Sequence, residues 1–221
     1  MVGFRRFRVL ACGLVAVFAM TLSADGAGQS FNLDIGAAFL GEAPDPTYAG
    51  GGAAGYWNLI DLGAGREAQE VELRDLSGNE TFVTAIPEGS PRDLVTDLNT
   101  AISGRTDSEM RLMRDYFVSL RELQVVGLQR GLYEVTVYSA GTGGESYPGV
   151  VEVAGATSAL IQLGGIYRTS LVLGQTHGSA LIEVGVTQTL SIFPDSATDR
   201  SINGVQVNLV PEPGVGGLRC L

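Results

Sequence analysis

Three observations predict an all-β fold, an antiparallel β-sandwich with one short helix near 107–118. Apolar and polar residues alternate with period 2 in run after run, 31 glycines and regularly spaced turn signals separate the runs, and only one stretch switches to helical spacing. Half-buried strands alternate in this way because successive side chains point to opposite faces of a sheet.

Taken in order, strands are expected near 31–36, 56–60, 70–75 and 80–86, the last two joined by the turn signal Ser77-Gly78-Asn79. Thr106-x-x-Glu109 then reads as a capping box, and Met110, Met113, Phe117 and Leu120 follow at helical spacing. This predicts the helix in a connection, its apolar stripe covering an end or face of the sandwich. Strands resume near 123–127. In Leu132–Tyr138, Tyr133, Val135 and Val137 share one face, with Glu134 and Thr136 on the other. Further strands are expected near 149–154, 159–163 and 170–174, and Ala180–Val186 places Ile182, Val184 and Val186 together. Leu190 and Ile192 alternate with Thr189 and Ser191, and Val205, Val207 and Leu209 with Gln206 and Asn208, in the closing strand Ile202–Leu209. The glycine-rich stretches 50–55 and 139–149 read as exposed loops.

The N-terminus has the layout of a secretory signal peptide. Arg5, Arg6 and Arg8 precede the apolar run Val9–Leu22, and the small residues Ser23, Ala24, Gly26 and Ala27 follow. About 14 apolar residues fall short of the roughly 20 that span a bilayer. The expected organisation is a signal peptide over 1–24, a sandwich domain over 30–210 and a flexible tail over 211–221. Removing the leader takes away three Arg and no acid, moving the balance from 14 − 24 = −10 to 11 − 24 = −13. Such acidity argues against nucleic acid and anionic membrane surfaces as partners. With the leader gone no long apolar run remains, so no stable membrane insertion of the mature chain is expected.

Several chemistries are excluded by composition. All 14 basic residues are Arg, which removes the P-loop, kinase, Schiff-base and Ser-x-x-Lys chemistries that need a lysine amine. Cys12 falls in the leader and Cys220 is the penultimate residue, so burial is expected to stabilise the fold without an internal disulfide. His177 is the only histidine, which excludes a His-rich zinc site and leaves a turn histidine as the favoured reading. Gly50-x-Gly52-x-x-Gly55 matches a dinucleotide fingerprint in letters only, because a strand pattern and no helix follows it. Asp75-x-Ser77-x-Asn79 spaces oxygen ligands as a calcium loop does, but lacks the following glycine and the distal acid, and reads as a hairpin turn. No metal or cofactor is assigned. A structural calcium held by carbonyls and carboxylates is compatible with the sequence, which locates no site for it. No catalytic residue can be nominated.

Sugar C–H faces pack on aromatic rings, so the aromatic residues are the candidates for a carbohydrate site. Tyr147, in a Gly/Pro-rich loop, ranks first, then Tyr167 with Arg168. Trp57, the only tryptophan, could stack on a sugar, although a strand tryptophan beside Leu59 is more often core.

Several segments together resemble PEP-CTERM proteins carrying a galactose-binding-like jelly-roll domain. They are Phe31–Gly36, Ala53–Asn58, Leu112–Phe117, Gly127–Tyr138, Ile202–Val207 and the sorting element Val210, Pro211, Glu212 and Pro213. The resemblance implies bacterial export, sorting at the cell surface and an exopolysaccharide or biofilm setting. Relatives of this sandwich often bind carbohydrate. The tail departs from the family pattern: only eight residues follow Pro213, with Arg219 the lone base, so it reads as truncated. The expected function is a secreted, non-catalytic module that binds carbohydrate or an extracellular matrix component. The alternatives are a structural surface or matrix protein without a small-molecule site and, less favoured, a glycoside-acting hydrolase.

Overall fold

The computed structural model describes residues 29–36, 43–62, 69–89, 94–96, 106–117, 120–141, 149–167, 170–194 and 202–211. The expected leader, Tyr147, Arg168, Glu212, Pro213 and the residues after them lie outside the described residues. No helix among the described residues is long and apolar enough to cross a membrane.

The elements in chain order are β1 (Phe31–Gly36), β2 (Trp57–Asp61), β3 (Val71–Arg74), β4 (Glu80–Gly89), β5 (Leu94–Thr96), α1 (Asp107–Arg114), β6 (Asp115–Phe117) and β7 (Leu120–Val126). They continue with β8 (Gly131–Tyr138), β9 (Ala140–Gly141), β10 (Gly149–Ala154), β11 (Ser158–Leu163), β12 (Gly165–Ile166), β13 (His177–Val184), β14 (Thr189–Pro194) and β15 (Gly204–Leu209). A five-stranded sheet ordered β13-β8-β15-β1-β2 faces a six-stranded sheet ordered β11-β10-β14-β7-β4-β3. This is the expected β-sandwich, and from β13 to β15 successive strands alternate between the sheets as in a jelly roll.

The core lies between the inner faces and follows the alternation in the sequence. Phe31, Leu33, Ile35, Tyr133, Val135, Val137, Ile182, Val184, Val205 and Val207 of one sheet meet Leu73, Val83, Leu123, Val125, Val151, Val153, Leu190 and Ile192 of the other. Asn58 ties the open edge of the sandwich. Its side chain accepts from Arg74 N at 2.8 Å and donates to Arg74 O at 2.8 Å, linking edge strands β2 and β3.

Several expectations are corrected. The helix ends at Arg114, because Asp115–Phe117 pairs with β5 instead of continuing the turn. Thr106 caps α1, its hydroxyl accepting from Glu109 N at 3.2 Å. The capping box is nevertheless half used, since the Glu109 carboxylate accepts from Tyr167 and Leu171 N. Residues 170–174 form a turn and no strand, with Gln175 N and Thr176 N both donating to Val172 O and Leu173 making only an isolated bridge to His177. Val186 leaves the β13 alternation in the turn that ends at Gln188 and is 77% exposed.

One departure shapes the outer face of the five-stranded sheet. β1 and β2 are parallel, with Asn32 beside Trp57 and Asp34 beside Leu59. Parallel neighbours cannot be joined by a hairpin and need a crossover. Here the greater part of that crossover, residues 43–56, runs across the outer face of the five-stranded sheet, as its contacts with Tyr138, Gln206 and Asn32 show.

Candidate functional site

On the outer face, one transverse row crosses all five strands: Ser179, Thr136, Gln206, Asn32 and Trp57. An outward row of a solvated sheet ordinarily carries charges; this one carries none. Its side chains bond one another and the segment above. Thr136 and Ser179 hydroxyls lie 2.7 Å apart. Gln206 Nε2 donates to Asn32 Oδ1 at 2.8 Å, Ala53 O at 2.9 Å and Ala49 O at 3.1 Å. Asn32 Nδ2 donates to Ala53 O, and the Tyr138 hydroxyl donates to Gln206 Oε1 while accepting from Gly51 N.

The glycines of 50–52 make this approach possible. A Cβ on Gly52 would stand 2.7 Å from Gln206 Oε1 and 2.9 Å from Asn208 Nδ2, and one on Gly51 2.8 Å from His177 Cδ2. Gly50 adds a φ of +57°, which favours glycine. The stretch expected as an exposed loop thus shows solvent one side and lays its backbone on the sheet with the other.

Beside the amides, four rings form an arc. Tyr48 and Trp57 centroids are 6.0 Å apart, Trp57 and Tyr138 6.4 Å, and Tyr138 stacks on His177 at 5.8 Å. Trp57 and Tyr138 share a second, smaller apolar cluster with Leu112 and Met113 of α1, Ala140 and Tyr167. The segment is anchored to α1 by Ser108, whose Oγ accepts from Asp45 N at 2.9 Å, and by Arg111, which donates to Ala43 O at 3.2 Å. Bonds from the Thr47 hydroxyl and backbone N hold the Asp45 carboxyl below its usual range.

Burial marks this face electrostatically. It pushes the Tyr138 phenol up to about 12, and raises Tyr48, with Glu109 and Tyr138 adding to the effect. Among the described residues, three buried polar atoms along the segment have no hydrogen-bond partner: Tyr48 Oη, His177 Nδ1 and Asn208 Oδ1. Each such atom costs about 1–3 kcal/mol in the closed arrangement.

Burial also lowers the His177 pKa from its ordinary 6.5. The folded chain therefore prefers neutral imidazole. Its contribution to stability is complete above pH 6.5 and is lost as pH falls from there through the lower, folded value. Tyr138, the titratable ring stacked on it, stays neutral throughout. Urea midpoints are expected to fall between about pH 7 and pH 5, where imidazole is the side chain that titrates, and His177→Phe is expected to flatten that slope. An equal slope in the variant would refute the assignment.

Of the residues nominated from sequence, the structure brings Trp57 and Tyr167 together, but as packing. Trp57 is 3% exposed and its indole N–H donates to Tyr48 O; Tyr167 is 1% exposed and its hydroxyl is bound to Glu109. Neither presents a ring face to solvent, which leaves Trp57 in its more ordinary role as core and removes Tyr167 as an open stacking platform. Val210 donates its N–H to Leu132 O at 2.8 Å at the end of β15, and Pro211 is exposed. Asp75 closes the β3–β4 turn, Oδ1 accepting from Ser77 N and Asn79 N, as the hairpin reading requires.

No protein-family model matches the chain, and no curated protein matches it. Solved structures do. Bacteroides uniformis β-glucuronidase 2, covalently bound to cyclophellitol-6-carboxylate aziridine, matches 82% of this chain over 18% of its own, at 11% identity and TM-score 0.41. A complex of the plant peptide RALF23 with FER and LLG2 matches 80% over 47% of the matched chain, at 14% identity and TM-score 0.41. Podospora anserina GH26-CBM35 β-(1,4)-mannanase matches 60% over 29%, at 15% identity and TM-score 0.33. The chain spans less than half the length of each. Likenesses of this size carry no conclusion about a ligand or a reaction.

Sequence reading missed Asn32, Tyr48, Tyr138, His177, Gln206 and Asn208 as a group. The signal was the uncharged amide at outward positions of two strands, opposite a run of three glycines.

Proposed function

We propose that the chain is an exported bacterial protein of PEP-CTERM type, placed outside the cell or at its surface, whose galactose-binding-like sandwich binds carbohydrate or a matrix polymer without acting on it. The observation that carries this reading is the uncharged row on the outer face, with amides and hydroxyls beside aromatic rings. Amides donate and accept at once, as sugar hydroxyls require, and rings suit the C–H faces of a pyranose. The leader layout supports export.

A glycan array probed with the full chain, with and without calcium, tests it. Binding to at least one neutral glycan is expected, and no binding to any glycan would remove the proposal. His177→Ala, at the half-buried edge of the face, is expected to weaken that binding about tenfold, the loss of one good polar or stacking contact. Unchanged affinity would move the site elsewhere. The alternative of a structural matrix protein draws on Phe82 and Leu160, 102% and 72% exposed. Self-association without glycan binding would favour it.

A further inference from the structure

We infer that residues 43–56 are a strap that lifts off the five-stranded sheet, and that the face beneath it is the binding site for a neutral pyranose-containing glycan. The inference rests on the carbohydrate-binding reading and gives it a place and a control.

Three observations carry it. First, the strap is held over residues 49–53 by hydrogen bonds, while Tyr48 packs on the small apolar cluster beside them. Its middle is fastened by side-chain hydrogen bonds from Gln206 and Asn32 and by the Gly51–Tyr138 contact. Glycines at 50–52 place no side chain in the sheet, so lifting them uncovers polar surface without tearing apart an interdigitated core. Second, the closed position leaves three polar atoms buried without partners among the described residues, Tyr48 Oη, His177 Nδ1 and Asn208 Oδ1. Buried polar groups in a finished interior are paired; here Tyr48 belongs to the strap, and the His177 and Asn208 side chains lie against Gly51 and Gly52. Third, the covered face has the chemistry of a sugar site. Asn32 of β1 and Gln206 and Asn208 of β15 offer amides on two adjacent strands about 4.8 Å apart, and Trp57, Tyr138 and His177 offer ring faces beside them. No charged residue lies in the row, so a neutral sugar suits it better than a uronate or a sulfated chain.

A ligand that takes only the open form binds with an affinity reduced by the open fraction, so loosening the strap must strengthen binding. Ser108→Ala combined with Arg111→Ala removes the two hydrogen bonds that fasten the strap to α1 and leaves Asn32, Gln206 and Asn208 in place. Trp57 is the only tryptophan, so acrylamide quenching of the full chain reports on the covered face alone. The probes are galactan, mannan and xylan tetrasaccharides.

In the double variant, with cooperative thermal unfolding retained, quenching is expected to rise about threefold, affinity for the tetrasaccharide that binds to rise about threefold, and bound sugar to restore protection. In the wild type, the Gly51 amide is expected to exchange with solvent about a hundredfold faster than that of Val135 in the core, by local opening. Equal protection of the two amides, or unchanged quenching, overturns the strap. Equal tetrasaccharide affinity in both proteins despite raised quenching overturns the covered site and leaves the carbohydrate reading standing. Failure of every tetrasaccharide with both proteins, joined to a silent glycan array, overturns both.

Discussion

Gln206→Leu is expected to lower the stability of the fold by about 3 kcal/mol. Gln206 is fully buried on the outer face of β15, and its amide is the hub of the polar row. A leucine fills similar volume but leaves Asn32 Oδ1 and the Tyr138 O–H without the partner they now have. Ala53 O keeps Asn32 Nδ2 and Ala49 O keeps Gly52 N, so neither is stranded. Two stranded groups at about 1–3 kcal/mol each cost up to about 6 kcal/mol if the strap stays down. They are rehydrated if it lifts, at the expense of the ring contacts it covers. The expected value lies between these limits, and at this chain size it lowers Tm by about 6–12 °C. Trp57 emission should shift to the red with it, because the strap shields the indole. A loss under about 1 kcal/mol with unshifted emission would mean that the amide hub does not hold the strap.

The same hub shows where sequence reading stops. The sandwich was legible because one face of each strand is buried and a one-residue slip would expose all of it. Tyr133, Val135 and Val137, and Val205 and Val207, point inward as their alternation requires. The other face gives no such signal. Asn32 and Gln206 satisfy solvent as readily as a strap, and nothing local records that β1 and β2 pair in parallel and bring the crossover over them. The glycines at 50–52 read as loop formers, whereas close approach of backbone to Tyr138, His177 and Gln206 is what requires them. Their partners lie about 90 to 155 positions further along the chain, beyond any local pattern.

Tertiary competition explains the remaining differences. Thr106 was legible as a cap because capping is local, but Glu109 was claimed by Tyr167, 58 positions away. The Leu171-Val172-Leu173 run has strand composition, yet the Thr176 hydroxyl accepts from Val172 N and Gly174 takes φ +77°, so the segment turns before it can pair. Trp57 was legible in its more ordinary role, a strand tryptophan in a core. That core turned out to be the small one between the sheet, the strap and α1.

Gly204→Val is expected to cost about 3 kcal/mol and to loosen α1 at the same time. Gly204 lies in register with Asp34 of β1 and Tyr138 of β8, directly under the helix. A Cβ there would stand 2.7 Å from Leu33 O, a backbone atom, and 2.6 Å from Leu112 Cδ1. A side chain can rotate away from such a clash; a carbonyl within a β-ladder cannot, so β1 and the helix must both move. Leu112 belongs to the cluster with Trp57 and Tyr138, so the displacement should reach the indole and raise its quenching along with the fall in the unfolding midpoint. Gly174→Val supplies the contrast. It meets nothing within 4 Å but sits at φ +77°, so only the left-handed conformation is penalised, at about 1–2 kcal/mol, with Trp57 unaffected. If both variants lost the same stability and neither changed Trp57, then Gly204 would matter for its backbone alone, and the close seating of α1 on the sheet would not be what holds the covered face together.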